Sequence, residues 1–458
     1  PNRGALMISM LLSEAAKTIG ASLNGEDVIF SGCSTDSRTI EKGNLFIALK
    51  GENFDGHKYI SVAEKKGASS LIVDHEISNT KSFIKVKNTR KAMGLLAKSW
   101  REKITIPLIA ITGSNGKTTV KEMVTNILST VSSVHATPGN LNNDIGVPKT
   151  LFGLNKNHNY AVVEMGANNS GEIEWLSKIS LPNVAVITQC APAHLEGFKN
   201  IESVAKAKAE IYLGLQSSGT AIINADDIYA DFWKNSCKEI NQVTFGIKSK
   251  NADVRAKKIK SSVNDLSIKF TLVTENDSVE ICLPIFGEHN VMNALAAAAC
   301  CISLDISLRS IKNGLENIQS INGRLEIKTG KKQVRIIDDT YNANPASLDA
   351  AIKTLCSFNG SRYIVLGDMG ELGDKAKRFH KEVGMLAKKR NVNGLFTIGE
   401  LSINASNNFG KGAFHFENYD DLGKSLIKIL DKNSTVLVKG SRSMQMERVV
   451  NFLMENRR

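Results

Sequence analysis

The chain has 458 residues, 42% of them hydrophobic, which is too long for one ordinary core and rich enough in apolar residues for about three globular domains. No apolar run approaches the ~20 residues of a membrane-crossing helix, and the start has neither a signal-peptide core nor a small-residue cleavage site, so a soluble, cytoplasmic protein with no membrane span is expected. The formal net charge of +12 suits a polyanionic small substrate or plain solubility, and the lysines are spread along the chain without interleaved aromatics, so no nucleic-acid partner is expected. The seven cysteines are scattered with no C-x-x-C spacing and read as reduced thiols. Pro1 to Leu6 stay out of the fold argument, with Met7 the expected natural start.

In chain order, the first ~90 residues carry a helical pattern from Ile8 to Ile19 and apolar strands at Val28–Ser31, Asn44–Leu49, Ser70–Asp74 and Phe83–Val86, a small α/β unit. The apolar segment Ile104–Ile111 then leads into a glycine turn and a helix with Val120, Met123, Val124, Ile127 and Leu128 on one face. Further strands at Tyr160–Glu164, Val184–Thr188 and Thr220–Asn224 alternate with helical stretches, as in a parallel sheet with crossover helices. Short alternating runs within Ala252–Leu283 predict an antiparallel insertion or edge, and Cys300 and Cys301 close an alanine-rich helix. After a hinge at Gln319–Gly323 the pattern resets, with strands at Val334–Ile337, Tyr363–Leu366, Gly394–Ile398 and Val436–Val438. The fold class is α/β in three domains: a small N-terminal α/β domain over 1–89, a central P-loop domain with a mostly parallel sheet over 90–320, and a C-terminal Rossmann-like domain over 321–458.

The turn reads Thr112-Gly113-Ser114-Asn115-Gly116-Lys117-Thr118-Thr119. Glycines let backbone wrap an anion closely, and the first N–H groups of the helix point at it, so this is a nucleotide-phosphate loop. Lys117 is placed to reach the β- and γ-phosphates and Thr118 to offer its hydroxyl to magnesium. The spacing departs from Walker A, which needs a glycine where this chain has Ile111.

Glu164 ends an apolar strand, as the acid beside a phosphate-loop magnesium does, and is the first metal-ligand candidate. His194, shortly past the Val184–Thr188 strand, is a candidate for a second metal ion or simply structural. Lys206 and Lys208 lie on a helical stretch whose default is a solvated face. Asn290 and Asn293 share one face of a first helical turn and suit a purine edge, although Asn290 also fits a helix cap. Three polar turns, Asp338–Ser347, Gly367–Gly373 and Lys439–Arg442, close strands of one sheet and should share an edge and form one site.

The phosphate loop, His289-Asn290-x-x-Asn293-Ala294-Leu295, Gly323-Arg324 and Lys439-Gly440-Ser441-Arg442 resemble the Mur ligases, amide-forming ATPases of peptidoglycan synthesis, in an order that covers nearly the whole chain. Gly139-Asn140-Leu141-Asn142-Asn143-Asp144, Glu164-Met165-Gly166-Ala167-Asn168 and Tyr341-Asn342-Ala343-Asn344-Pro345 are similar to the branch that adds D-alanyl-D-alanine to UDP-N-acetylmuramoyl-tripeptide (UDP-MurNAc-tripeptide). The resemblance implies ATP with two magnesium ions, Lys117 catalytic, Glu164 and His194 as metal ligands, and Lys208 at a position that some members carry as a carbamate. It also implies ATP contacts at Asn290, Asn293, Arg324 and Asp339, and a UDP-sugar segment at Thr35, Ser37 and Arg38 with Lys50-Gly51 downstream. The remaining substrate candidates are Asn140, Asn142, Asn143, Asp144, Tyr341, Asn342, Asn344, Lys439, Ser441 and Arg442, in a protein expected to be monomeric. The Asp-Asn-Pro-Arg motif of the diaminopimelate-adding sister is replaced by Asn342-Ala343-Asn344-Pro345, which disfavours that sister. The rivals are another ligase of this superfamily, such as a folylpolyglutamate synthetase, and, from a different class, a P-loop protein that binds a partner according to nucleotide state.

Overall fold

The computed structural model describes residues 8–78, 81–193 and 195–454. Its first element corrects the expected helix from Ile8. Ser9–Leu11 is a strand paired antiparallel with Ile29–Ser31, and the helix begins only at Leu12. The apolar residues explain the switch: Ile8, Met10 and Leu12 are buried with period two, and Leu12, Ala15 and Ala16 then follow the helical period. Gly20, at φ +66°, ends that helix in a left-handed cap. Four short strands, Cys33–Ser34, Leu45–Ile47, Ser70–Val73 and Ser82–Lys85, form a parallel sheet, with Leu23–Asn24 antiparallel at its edge.

The helix Thr89–Lys103, capped by the Asn88 side chain on Lys91 N–H, leads into the central region. Its buried Arg101 gives its guanidinium to the carbonyls of Ser180 and Ile106, so a charge in the core is spent on backbone acceptors. There a nine-stranded sheet runs, in spatial order, Ser278–Leu283, Ser267–Val273, Val254–Ser262, Asn241–Gly246, Thr220–Asn224, Val184–Ile187, Leu108–Thr112, Tyr160–Glu164 and Val134–Ala136. The last seven are parallel and the first two add antiparallel pairs, so the alternating segment is an edge of the main sheet. Its inward residues Val254, Ile268, Phe270, Leu272, Ile281 and Leu283 share one core with the helices Lys117–Ser129 and His289–Ile302. Cys300 and Cys301 are packed there as free thiols.

A six-stranded sheet follows, in the order Glu326–Thr329, Arg335–Asp339, Ser434–Lys439, Ser361–Gly367, Gly394–Ile398 and Ala413–Phe416, parallel except for the first. Among the described residues, no helix is long and apolar enough to cross a membrane.

Candidate active site

The Leu108–Thr112 strand, fully buried, delivers its chain into the Gly113–Gly116 turn and the Lys117–Ser129 helix. Gly113 sits at φ +147° and Gly116 at +80°. A methyl group at Gly113 would lie 1.9 Å from Thr188 Oγ1, and one at Gly116 would lie 2.4 Å from Asn293 Oδ1, so only glycine follows this path. Ser114 anchors the turn, its Oγ donating to Ala191 O and accepting from Ala191 N, both at 3.0 Å. Lys117 curls back over the loop and donates to Gly113 O at 2.7 Å. Burial, offset by Glu164 and reinforced by Arg324, holds its pKa below the usual lysine range. The cradle fits a phosphate chain: the free N–H groups of a helix start and a lysine surround a space that a side chain would fill.

Glu164 ends the strand beside the loop strand and is 2% exposed. Its Oε1 accepts from Asn142 Nδ2 at 2.8 Å, while Oε2 is buried with no hydrogen-bond partner. A carboxylate oxygen left bare in this way fits a divalent cation, which would satisfy it. Lys121, which the sequence reading passed over, supports this arrangement. Buried at 2% exposure, it donates to Thr137 O at 3.0 Å and Gly139 O at 3.3 Å, and Thr137 Oγ1 in turn accepts from Glu164 N. Its one signal was a spacing of four from Lys117, one turn along the helix and toward the same face.

Lys208, in the Ile201–Ala209 helix, overturns the solvated-face default that its neighbour Lys206 obeys. It is 1% exposed, with its Nζ 5.8 Å from the Phe198 ring centre. Burial, and then the like charge of Lys117, pull its pKa down to about 7. An amine that is half unprotonated at neutral pH fits a carbamate, which forms only from the free base. His194 lies outside the described residues.

From the C-terminal sheet, Arg324 Nη2 donates to Thr118 Oγ1 at 3.2 Å while its guanidinium lies 4.0 Å from the Tyr341 ring centre. Asn344 Nδ2 donates to Asn115 Oδ1 at 2.7 Å, and Asn344 also caps the Pro345–Cys356 helix in a reciprocal box with Ser347. Lys439, fully buried, pairs with Asp339 and donates to Asn342 O at 2.8 Å, and Leu325 N donates to the other Asp339 oxygen. Gly370 N and Asp368 O both meet Ser441 Oγ, so the three polar turns share one wall, as expected from their adjacent strands. Asn290 does not cap its helix. It lies in the first turn, donates back to Phe286 O at 2.9 Å and accepts from Asn293 Nδ2 at 3.0 Å.

These groups line one cavity of about 700 Å³. Ser114, Asn115, Gly116, Lys117 and Thr119 come from the phosphate loop; Asn140, Asn142, Asn143 and Glu164 from the adjoining strand end and loop; and Asn290 and Asn293 from the alanine-rich helix. Arg324, Asp339, Tyr341, Asn342, Asn344, Lys439, Ser441 and Arg442 face them. Gly113, Thr118, Lys208 and Asp144 are not among the lining residues, and Asp144 pairs with Arg90 at 3.2 Å. Thr35, Ser37 and Arg38 are not part of this cavity, and Arg38, largely exposed, pairs with Asp36.

Three family models match in succession: Mur ligase family, catalytic domain over 29–101; Mur ligase middle domain over 111–301; and Mur ligase, glutamate ligase domain over 323–442. The chain is 41% identical over 453 residues to UDP-N-acetylmuramoyl-tripeptide--D-alanyl-D-alanine ligase of Escherichia coli (strain K12), covering 98% of this chain and 99% of that one. The chain belongs to the Mur ligase family. A crystal structure of MurF from Acinetobacter baumannii matches this Mur ligase with a TM-score of 0.93 at 35% identity, over 98% of this chain and 100% of that one. MurF from Thermotoga maritima in complex with ADP matches with a TM-score of 0.83 at 27% identity, over 92% and 96%. The three-domain α/β architecture is that of these Mur ligases.

Proposed function

We propose that this Mur ligase joins D-alanyl-D-alanine to UDP-MurNAc-tripeptide with hydrolysis of ATP to ADP and phosphate, giving the UDP-MurNAc-pentapeptide used in peptidoglycan synthesis. The observation that carries the reading is the single cavity where a phosphate cradle meets the polar turns of the C-terminal sheet, in a chain similar along its whole length to a ligase of that name.

The terminal carboxylate of the tripeptide attacks the γ-phosphoryl group, ADP leaves, and an acyl phosphate results. The amine of D-alanyl-D-alanine then attacks the acyl carbon, phosphate leaves, and the amine loses a proton as the amide forms. No nucleophilic side chain is required, since positioning and electrostatics carry phosphoryl transfer. Lys117 and the helix N–H groups hold the phosphates. Glu164, Thr118, His194 and a carbamylated Lys208 would hold magnesium, which when bound neutralises charge on the transferring phosphoryl. Asn290, Asn293, Arg324 and Asp339 serve the nucleotide. Thr35, Ser37 and Arg38 serve the UDP-sugar, and the Asn140–Asp144 loop with Tyr341, Asn342, Asn344, Lys439, Ser441 and Arg442 serves the peptide and dipeptide ends. In this reading the N-terminal domain spans 1–89, the central one 90–320 and the C-terminal one 321–458, acting as a cytoplasmic monomer. Closure of the cleft would exclude water, to which an acyl phosphate is vulnerable. The test offers D-alanyl-D-alanine, single amino acids and other dipeptides as amine and weighs the product: pentapeptide formation with D-alanyl-D-alanine supports the reading, and a stronger reaction with a single amino acid overturns it.

A further inference from the structure

Among the described residues, one histidine and carboxylate group has the spacing of metal ligands: His57, Asp74 and His75 each offer one atom, all within 4.8 Å of one another. They lie in the N-terminal region, away from the cleft. His57 comes from the turn of 3-10 helix Gly56–Tyr59, and Asp74 and His75 directly follow the Ser70–Val73 strand. Asp55 fixes the state of His57. Its Oδ1 accepts from His57 Nδ1–H at 2.7 Å, and also from His57 N–H at 3.0 Å. Nε2 is therefore the basic nitrogen of His57. It lies 3.2 Å from Asp74 Oδ1 and accepts from Asp74 N at 3.1 Å. His75 Nδ1 meets the same Asp74 oxygen at 2.6 Å, and the two imidazole centres are 4.6 Å apart. The His57 side chain is 6% exposed and that of His75 57%, so the group is fixed on one side and open to solvent on the other.

The geometry points to a transition-metal site that takes Zn²⁺ or a similar divalent ion on His57 Nε2, an Asp74 oxygen and a His75 ring nitrogen, with water in the fourth position. Two imidazoles and a carboxylate are the donor set of open tetrahedral zinc sites, and a carboxylate on the far nitrogen of a ligating histidine is the usual outer partner. Bonds of about 2.0–2.1 Å put tetrahedral donors roughly 3.3 Å apart. The two separations from Asp74, 2.6 and 3.2 Å, thus need less than an ångström of opening, and the His57 and His75 nitrogens, within 4.8 Å of each other, come to the same spacing by movement of the exposed His75. Binding exchanges two hydrogen bonds, His75 to Asp74 and Asp74 N–H to His57, for coordinate bonds, and His75 binds as the neutral imidazole with its ring proton on the nitrogen that does not ligate. The imidazole donors set the site apart from magnesium, which prefers oxygen. Occupancy ties the turn after the Ser70–Val73 strand to the Lys50–Asp55 bridge that precedes His57.

The inference does not rest on the ligase reading. Its test titrates the whole protein in magnesium-free buffer with Zn²⁺ against a chromophoric competitor, and with Co²⁺ followed by ligand-field absorption. The wild type is expected to bind one equivalent more than His75→Ala and to show the intense band of four-coordinate cobalt. His75→Ala and Asp74→Asn are each expected to lose that equivalent or to hold it at least about ten-fold more weakly. Zn²⁺ should raise the melting temperature of the wild type and leave that of His75→Ala unmoved, while the metal-free melting of His75→Ala stays near wild type because its side chain is exposed. Equal stoichiometry and affinity in the wild type and both variants would overturn the site, since the ion would then sit on cysteines or in the cleft.

Discussion

At the scale of single residues, three lysines stand at or beside the phosphate loop, the half-buried Lys117 and the buried Lys121 and Lys208. Lys117 was legible in the sequence because glycines and a helix start surrounded it. Lys117→Ala is expected to lower turnover by at least two orders of magnitude, about 3 kcal/mol of transition-state stabilisation, with the circular-dichroism spectrum unchanged. Lys208 was legible only through the family resemblance: the helix period gives a lysine a solvated face, and packing shows that this one is 1% exposed beside a second cation. Its folded pKa of about 7 lies below the ordinary lysine value, so between those two values the unfolded chain binds the extra proton and stability rises with pH. Below pH 7 the full cost of burying the charge remains. Lys208→Met is expected to flatten that slope in denaturant melts across pH 7–10 and to abolish the carbamate signal seen by NMR with ¹³C-bicarbonate in the wild type. Lys121 is joined to Glu164 through Thr137, whose carbonyl it meets and whose hydroxyl accepts from Glu164 N. Lys121→Met is expected to weaken Mn²⁺ binding, measured by electron paramagnetic resonance, several-fold more than it weakens ADP binding, and Lys121→Arg to restore part of it.

At the scale of elements, the strand-to-helix turn is held by close approach. Gly113→Ala forces a methyl against Thr188 at a left-handed backbone angle, so a loss of about 1–3 kcal/mol in stability is expected together with loss of ADP affinity by calorimetry. The long parallel strands were readable because both faces are buried and the sequence runs apolar throughout, as in Leu108–Thr112. The missed strands are edge or half-buried pieces. Glu326–Thr329 and Ala413–Phe416 bury no residue fully, and in Asn241–Gly246 only Phe245 and Gly246 are buried. Glu326–Thr329 pairs with the strand that follows it and the other two with strands about twenty residues earlier, but half-buried faces leave little apolar pattern to read. Ser9–Leu11 was misread for a related reason, since three residues of period two merge into the helical period that follows.

At the scale of the whole molecule, the central and C-terminal sheets meet through two bonds to the phosphate loop, Arg324 to Thr118 and Asn344 to Asn115. The sequence placed Asn344 in a polar turn and, by resemblance, Arg324 among the nucleotide contacts. It could not show that either touches the phosphate loop, because the segments lie more than 200 residues apart. Asn344 holds its own helix as well as the loop, so the conservative change separates the two roles. Asn344→Asp keeps a capping oxygen but loses the amide donor to Asn115, and is expected to raise the KM for ATP several-fold with little change in melting temperature. Asn344→Ala should also lose about 1 kcal/mol of helix cap.

The most direct test of the central claim is ADP release by the purified protein with magnesium and ATP, with UDP-MurNAc-tripeptide and D-alanyl-D-alanine each omitted in turn. A ligase that closes over both substrates predicts sustained release only when both are present, one pentapeptide formed per ADP. Release that is indifferent to either substrate, or that leaves no pentapeptide, would contradict it.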